Sequence, residues 1–206
     1  MATESEKHWD RLYRVKRAAD LSWYESDPQR SVQSVRETGV PADAPILDVG
    51  GGASLLVDDL LVLGYTDVTV LDLAPAALAQ SRDRLGPAAE SVTWIAGDVT
   101  AFRPTRRYAV WHDRALLHFL LDVPQREQYV AVLRSALAPR GHVILAAFGP
   151  GGPTRCSGLL VQRYSVELLS ALFGPGFELR GDALEDHHTP SGATQQFLHT
   201  RWQAVA

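Results

Sequence analysis

Three carboxylates in this chain each stand at the end of an apolar run. Ile46-Leu-Asp-Val-Gly-Gly-Gly-Ala-Ser54 closes the first run with Asp48 and a glycine turn, Val68-Thr-Val-Leu71 ends at Asp72, and Val92 to Ala96 leads into Gly97-Asp98-Val99. Gly50, Gly51 and Gly52 allow φ > 0 and lack the Cβ that would hold a ligand off the backbone, while a helix starting behind them would offer unpaired N–H groups. Such a turn suits a nucleotide. A dinucleotide fingerprint would add a glycine three residues after Gly52, and a phosphate loop would end in Gly-Lys-Ser/Thr. Instead, position 55 is Leu55 and no lysine follows Lys16. Asp48, just ahead of the glycines, suits a cationic ligand better than a pyrophosphate. Asp72, twenty residues beyond Gly52, stands where a strand-end carboxylate accepts both hydroxyls of a ribose.

The elements that must hold these groups alternate. Pro45 to Val49 reads as a buried strand, followed by a helix over Ala53 to Gly64 with Leu56, Leu60 and Leu63 at helical spacing. Helices are expected over Pro75 to Leu85 and Pro124 to Leu137, each with proline in its first turn, the latter burying Tyr129, Val130, Leu133 and Leu137. Strands alternating with helices from Pro45 to Phe148 predict an α/β, doubly wound parallel sheet with helices on both faces. A helix over Ser165 to Phe173 follows, then short runs at Phe177 to Gly181 or slightly beyond and at Thr194 to Val205. Ahead of the sheet, helices are expected from about Ser5 to Arg17 and from about Pro28 to Thr38.

The spacing of the three acids resembles that of the class I S-adenosylmethionine-dependent methyltransferases, and the resemblance covers nearly all of the chain. Tyr108-Ala-Val-Trp-His112 running into Asp113-Arg114 looks like that family's fourth motif, and Leu137-Ala-Pro-Arg-Gly141 looks like its Leu-x-Pro-Gly-Gly turn into strand five. Two departures are Ser54, where a third glycine is usual, and Arg140, which replaces a glycine. The resemblance implies a Rossmann-like, mostly parallel seven-stranded sheet with an antiparallel last strand. It also implies S-adenosyl-L-methionine as cofactor and S-adenosyl-L-homocysteine as product. Carried over by position, Asp48 with Gly50, Gly51 and Gly52 packs against the methionyl part. Asp72 meets the ribose, with Leu73 beside it among the cofactor-binding residues, and Asp98 with its neighbour Val99 meets the adenine.

The opening His8-Trp-Asp10 and Trp23-Tyr24 resemble the start of small methyltransferases of thiopurine and protein-lysine type. Trp23 and Tyr24 then form either an aromatic lid over a sulfonium, whose charge an aromatic face attracts, or an anchor holding the N-terminal helices to the sheet. In-line methyl transfer needs alignment above all, and a thiol, hydroxyl or ammonium acceptor also needs a base. His112 and Asp113 are the candidates for that catalytic role, with His118 one turn on. Asp113 could equally cap a helix or pair with Arg114.

Composition narrows the partners. The chain has 206 residues, of which 46% are hydrophobic, enough for one full core. It is expected to be a single domain over 1–206, with an N-terminal helical cap at 1–40, a cofactor-binding core at 41–150, and a C-terminal helix and hairpin at 151–206. A net charge of −4 and a pI near 6.0 speak against nucleic acid, and the basic cluster Arg11, Arg14, Lys16 and Arg17 reads as a solvated helix face. No apolar run is long enough to cross a bilayer and the N-terminus lacks a secretory core, so a cytoplasmic protein away from the membrane is expected. Cys156 is the single cysteine. With His187 and His188 some thirty residues on it makes a poor metal set, and no metal is expected. The polar clusters Arg155-Cys-Ser-Gly158 and Glu185-Asp-His-His188 are expected in loops over the pocket mouth. The acceptor is expected to be a small molecule, with a protein-lysine methyltransferase, an NAD-dependent oxidoreductase and a non-catalytic cofactor-binding module as rivals.

Overall fold

Parallel strands covered on both faces carry near-continuous apolar sequence, and the runs that look alike in this chain do lie side by side. In the computed structural model, which describes residues 3–205, β1 (Ile46–Val49), β2 (Val68–Asp72), β3 (Val92–Ala96), β4 (Tyr108–Arg114) and β5 (Leu137–Phe148) pair in parallel. After β5 come a two-residue ribbon of β6 (Arg155–Cys156) and β7 (Leu159–Leu160), then the long strands β8 (Phe177–His188) and β9 (Thr194–Ala204). The sheet runs β3-β2-β1-β4-β5-β9-β8, with β9 antiparallel to both neighbours. Met1, Ala2 and Ala206, at the ends of the expected domain, lie outside the described residues.

Successive side chains of a strand point to opposite faces, and that parity sorts the core. Ile46, Val68, Val70, Val110 and Ile144 face α2 (Gln29–Glu37), α3 (Leu56–Val62) and α4 (Pro75–Leu85). Leu47, Trp111, Val143 and Leu145 face α5 (Val123–Ala136) and α6 (Val166–Phe173). Asp48 and His112 share the parity of Ile46 and Val110, whereas Asp113 shares that of Trp111. The two expected catalytic residues therefore point to opposite sides of the sheet.

The first helix, α1 (Glu4–Val15), is tied across the chain to α4. Asp10 Oδ1 accepts from the backbone N–H of Ala76 at 3.0 Å, occupying one of the free donors at the start of α4, which has no side-chain cap of its own. Gln80 Nε2 donates to the carbonyls of Tyr13 (2.6 Å) and Lys16 (3.0 Å). Of the basic cluster, Arg14 pairs with Asp10 and Arg17 with Asp20 at the surface.

Several boundaries differ from the sequence reading. The third helix begins at Leu56 and ends at Val62, and Leu63, expected on its buried stripe, is 44% exposed. Strand five starts at Leu137, so the expected turn lies within it as an irregularity between Tyr108 and Val110 of its neighbour, and Arg140 takes φ +58, the conformation a glycine adopts freely. Strand eight runs to His188, seven residues past Gly181. Glu185 to His188 are thus strand residues at a sheet edge rather than a loop. No helix among the described residues is long and apolar enough to cross a membrane.

Candidate active site

The glycine turn lets backbone pass directly over two buried acids. Gly50 has φ +69 and donates its N–H to the Leu71 carbonyl at 2.7 Å. A Cβ on Gly50 would lie 2.8 Å from Leu116 Cδ1, one on Gly51 would enter the Asp48 carboxylate, and one on Gly52 would lie 2.7 Å from Asp72 Oδ2. Asp48 is 2% exposed and its Oδ1 lies 2.7 Å from His112 Nδ1, while His112 Nε2 meets Ser31 Oγ of α2 at 2.9 Å. Both ring nitrogens of His112 are therefore engaged.

Two cavities open at the carboxyl ends of the strands, where α/β sheets place their ligand crevices. The larger, about 180 Å³, has Asp72, Leu73, Asp98 and Val99 along one side, Leu116 and Phe119 along another, and Trp9, Tyr13 and Trp23 as a roof. The smaller, about 50 Å³, is bounded by Asp48, Gly50, Gly51 and His112 below and by Tyr24 and Glu25 above. Tyr13, Trp23, Gly50 and Arg114 belong to both. The roof is an aromatic cluster, with Trp9 edge-on to Trp23 at 5.6 Å and to Phe119 at 4.9 Å, an arrangement favoured by the ring quadrupoles.

The electrostatics follow from burial. Asp72 is pushed up to about 7, chiefly because its carboxylate is shut away from water; the Ala74 N–H at 2.7 Å offsets part of that cost, and Asp48 nearby adds to it. Burial of the Tyr13 phenol raises it well above its ordinary range, with Asp72 contributing. Asp98 is exposed and accepts from both the N–H and the hydroxyl of Thr100 at 2.7 Å.

Asp113 stands elsewhere. It has no exposure and borders neither cavity; its carboxylate accepts from the Tyr129 hydroxyl at 2.6 Å and from the N–H groups of Leu116 (2.9 Å) and Leu117 (3.2 Å). Burial lifts it to about 6 even so. This corrects the catalytic expectation in favour of the capping one: the carboxylate fastens the turn in which Ala115 takes φ +70 and Leu116 swings over Gly50. It makes no ion pair with Arg114, whose partner is Glu25 at 2.7 Å. His118 is also enclosed, between the rings of Phe119 and Phe148, and burial draws it down to about 3, so it is neutral. Cys156 is buried with its thiol pushed up to about 11, and His187 Nε2 is spent on the Ser22 carbonyl at 2.9 Å.

Trp23 and Tyr24 do border the cavities, as do Asp48, Gly50, Gly51, Asp72, Leu73, Asp98 and Val99; Gly52 lies behind them, under Asp72. Tyr13, Glu25, Ser31, Leu116 and the cavity position of Arg114 were missed. Tyr13 lies four residues after Trp9, one helical turn on, which was a signal available in the sequence.

A methyltransferase domain model matches residues 46–141. EEF1A lysine methyltransferase 2 of Mus musculus is 26% identical over 195 residues, which span 86% of this chain and 73% of that protein. Nodulation protein S of Sinorhizobium fredii (strain NBRC 101917 / NGR234) is 31% identical over 101 residues, covering 49% of this chain and 46% of its relative, so the chain matches less than half of that protein. Among solved structures, N-methyltransferase NodS from Bradyrhizobium japonicum WM9 in complex with S-adenosyl-L-homocysteine superposes with a TM-score of 0.76 at 15% identity, over 99% of this chain and 100% of that one. The domain match sets aside the NAD-dependent oxidoreductase and the module without activity. By that match residues 46–141 carry a methyltransferase domain, and the sheet, in which only the chain's last strand runs antiparallel, has the fold of the N-methyltransferase structure it superposes on.

Proposed function

We propose that the chain methylates a nucleophile on a small molecule, in a pocket built from both cavities. The observation that carries this reading is the roof: α1 and the Trp23-Tyr24 segment line the cavities at the strand ends, so the space beside Arg114 and Phe119 is covered on that side, which favours a small acceptor. The residues fit the cofactor on three counts. The glycine turn is a cradle that any Cβ would fill, Asp72 is a buried carboxylate facing the cavity beside it, and Asp98 with Val99 borders the far end. In this reading Asp72 accepts the ribose hydroxyls, Leu73, Asp98 and Val99 hold the adenosine, and Asp48 with Gly50 to Gly52 supports the methionyl part.

When bound, S-adenosylmethionine supplies a methyl group on a sulfonium, and its thioether leaving group needs no proton. Trp23 and Tyr13 face that end of the cavity and would keep water from it, with the aromatic faces favouring positive charge. His112 and Asp113 have their acceptor sites occupied by protein donors or lie outside the cavity, so neither is free to take a proton from the acceptor. Catalysis then rests on alignment of acceptor and methyl group under the aromatic roof. We also read residues 1–206 as one domain, since β8 and β9 complete the sheet that β1 begins, and we assign it to the cytoplasm with no nucleic-acid partner.

A second reading, methylation of a protein lysine, is favoured by the name of the mouse relative. Labelled S-adenosylmethionine offered to a panel of small amines, thiols and hydroxyl compounds, and in parallel to protein extracts, separates the two. Label confined to protein would overturn the small-molecule reading.

A further inference from the structure

The edge strand β8 reaches the roof of the cavities through its last turn of charge, Glu185 to His188. Glu185 and His187 stand two residues apart and so project to one face, opposite Phe197 and Gln195 of β9. Glu185 Oε2 lies 2.7 Å from Arg30 Nε on α2. His187 Nε2 donates to the Ser22 carbonyl at 2.9 Å, and Ser22 also lies beside the Cys156 thiol of β6. Both polar clusters, Arg155-Cys-Ser-Gly158 and Glu185-Asp-His-His188, therefore converge on the residue immediately ahead of Trp23.

Leu21 to Glu25 has neither helix nor strand to fix its backbone; locally it is held by a turn in which the Tyr24 N–H donates to the Leu21 carbonyl at 3.0 Å. Because each peptide unit is planar, such a segment is set by φ and ψ alone. The Ser22 carbonyl belongs to the peptide plane before the Trp23 Cα, and the Trp23 carbonyl to the plane after it. His187 takes the first and Arg114 the second, through Nη1 at 2.7 Å. Holding both planes fixes φ and ψ of Trp23, and with them the direction in which its side chain leaves the backbone. One ring braces the two grips. Phe197, 1% exposed, has the His187 imidazole perpendicular to it at 6.0 Å and the Arg114 guanidinium 4.8 Å from its centre.

We propose that His187 is a positioning residue for methyl transfer: by holding the Ser22 carbonyl it aims the Trp23 indole over the cofactor cavity. This rests on the reading of Trp23 as part of the roof. His187 itself borders neither cavity, so its effect reaches the ligand through Trp23. The sheet edge thereby acts on a site that it does not touch, and the histidine run at its end has a role that a loop over the pocket mouth would not need.

Release of labelled S-adenosylhomocysteine from the full chain, chased with unlabelled ligand, tests this in Trp23→Ala, His187→Leu, His187→Gln and the double variant Trp23→Ala/His187→Leu. His187 is half-buried at a sheet edge, so its variants leave the core intact. His187→Leu removes the donor and is expected to speed release about three- to tenfold, the scale of one hydrogen bond. His187→Gln keeps an N–H donor of similar reach and is expected to stay within about twofold of wild type. Trp23→Ala is expected to speed release at least as much as His187→Leu, and adding His187→Leu to it to change the rate by less than about twofold, since residues acting through one contact are not additive. Independent, multiplying effects in the double variant overturn the proposal, as does unchanged release in His187→Leu or a His187→Gln rate equal to that of His187→Leu. Unchanged release in Trp23→Ala would instead refute the roof reading itself, and the proposal with it.

Discussion

His112 and Asp48 face each other across adjacent parallel strands, Nδ1 to Oδ1 at 2.7 Å, and Ser31 closes the other side of the imidazole at 2.9 Å. All three are nearly inaccessible, at 2% exposure each. The register that pairs Asp48 with His112 puts both side chains on the face covered by α2, so the acid next to the glycine turn is oriented by the strand beside it. His112→Phe keeps the volume but strands Asp48 and Ser31 without partners. We expect a loss of about 2–5 kcal/mol in urea unfolding, the cost of two buried polar groups left without partners. Ser31→Ala should cost about 1 kcal/mol. A loss under about 0.5 kcal/mol in His112→Phe, the range of ordinary surface changes, would mean that the ring is incidental to Asp48.

Asp72 makes both stability and binding depend on pH, in opposite directions. Its folded-state pKa is raised to about 7 from 3.8, with burial the main cause. In the ligand-free protein the charged form is penalised, so the stability associated with this group is full below pH 3.8 and is lost as pH rises through about 7. Asp113, raised to about 6, slopes the same way, and the difference between wild type and Asp72→Asn isolates the Asp72 share. Binding should run opposite to this. Ribose hydroxyls donate to the ionised carboxylate, so affinity for S-adenosylhomocysteine is expected to increase from about pH 6 to pH 8, with proton release below pH 7. Calorimetry in two buffers of different ionisation enthalpy reads that proton directly. A flat profile would remove Asp72 from the ribose.

Much of this was legible because a parallel sheet delivers its strand ends to one side. Asp48, Asp72 and Asp98 needed only their strands to be recognised, and Leu55 in place of a further glycine already spoke against a dinucleotide. Parity was legible too: His112 and Asp113 are consecutive strand residues and must face opposite ways. The reading failed there by ending the strand at His112, when pairing with β5 continues to Arg114. Arg114, Glu25, Tyr13 and Ser31 meet only through packing of the N-terminal segment on the sheet, which no local pattern records. The length of β8 was hidden for a different reason. An edge strand with one wet face carries charges such as Glu178, Asp182 and Asp186, and such sequence reads as loop.

Gly51 offers a test of how closely the turn lies on Asp48. A Cβ there would meet the Asp48 carboxylate and stand 2.9 Å from Val70 Cγ1. Asp48 is held from its other oxygen by His112 and has nowhere to retreat. Gly51→Ala should cost about 1–3 kcal/mol as an overpacked site and weaken S-adenosylhomocysteine binding as the turn lifts. Gly176→Ala, where nothing lies within 4 Å, is the control and should stay within about 0.5 kcal/mol. Equal stability of the two variants would show that the turn has room to spare.

Gln80 decides how firmly the roof is shut. Its amide donates to the carbonyls of Tyr13 and Lys16, and its oxygen accepts from the Ala18 N–H at 3.2 Å, so one side chain serves the backbone groups left open where α1 ends. Trp9 and Tyr13, both on α1, are lining residues of the larger cavity. Gln80→Ala removes three hydrogen bonds at a partly exposed site, each worth about 0.5–1.5 kcal/mol at most. The sheet and its core are untouched by this change, so global unfolding should shift little, while local opening of residues 4–20 becomes easier. Trypsin reports on that opening, since Arg14 and Arg17 already project into solvent. We expect faster cleavage between Arg14 and Arg17 in Gln80→Ala, slowed again by saturating S-adenosylhomocysteine, together with faster release of that ligand in stopped flow. Cleavage accelerated to the same degree with and without ligand would mean that α1 does not close over the bound cofactor, and would leave Trp23 and Tyr24 as packing for the N-terminal helices alone.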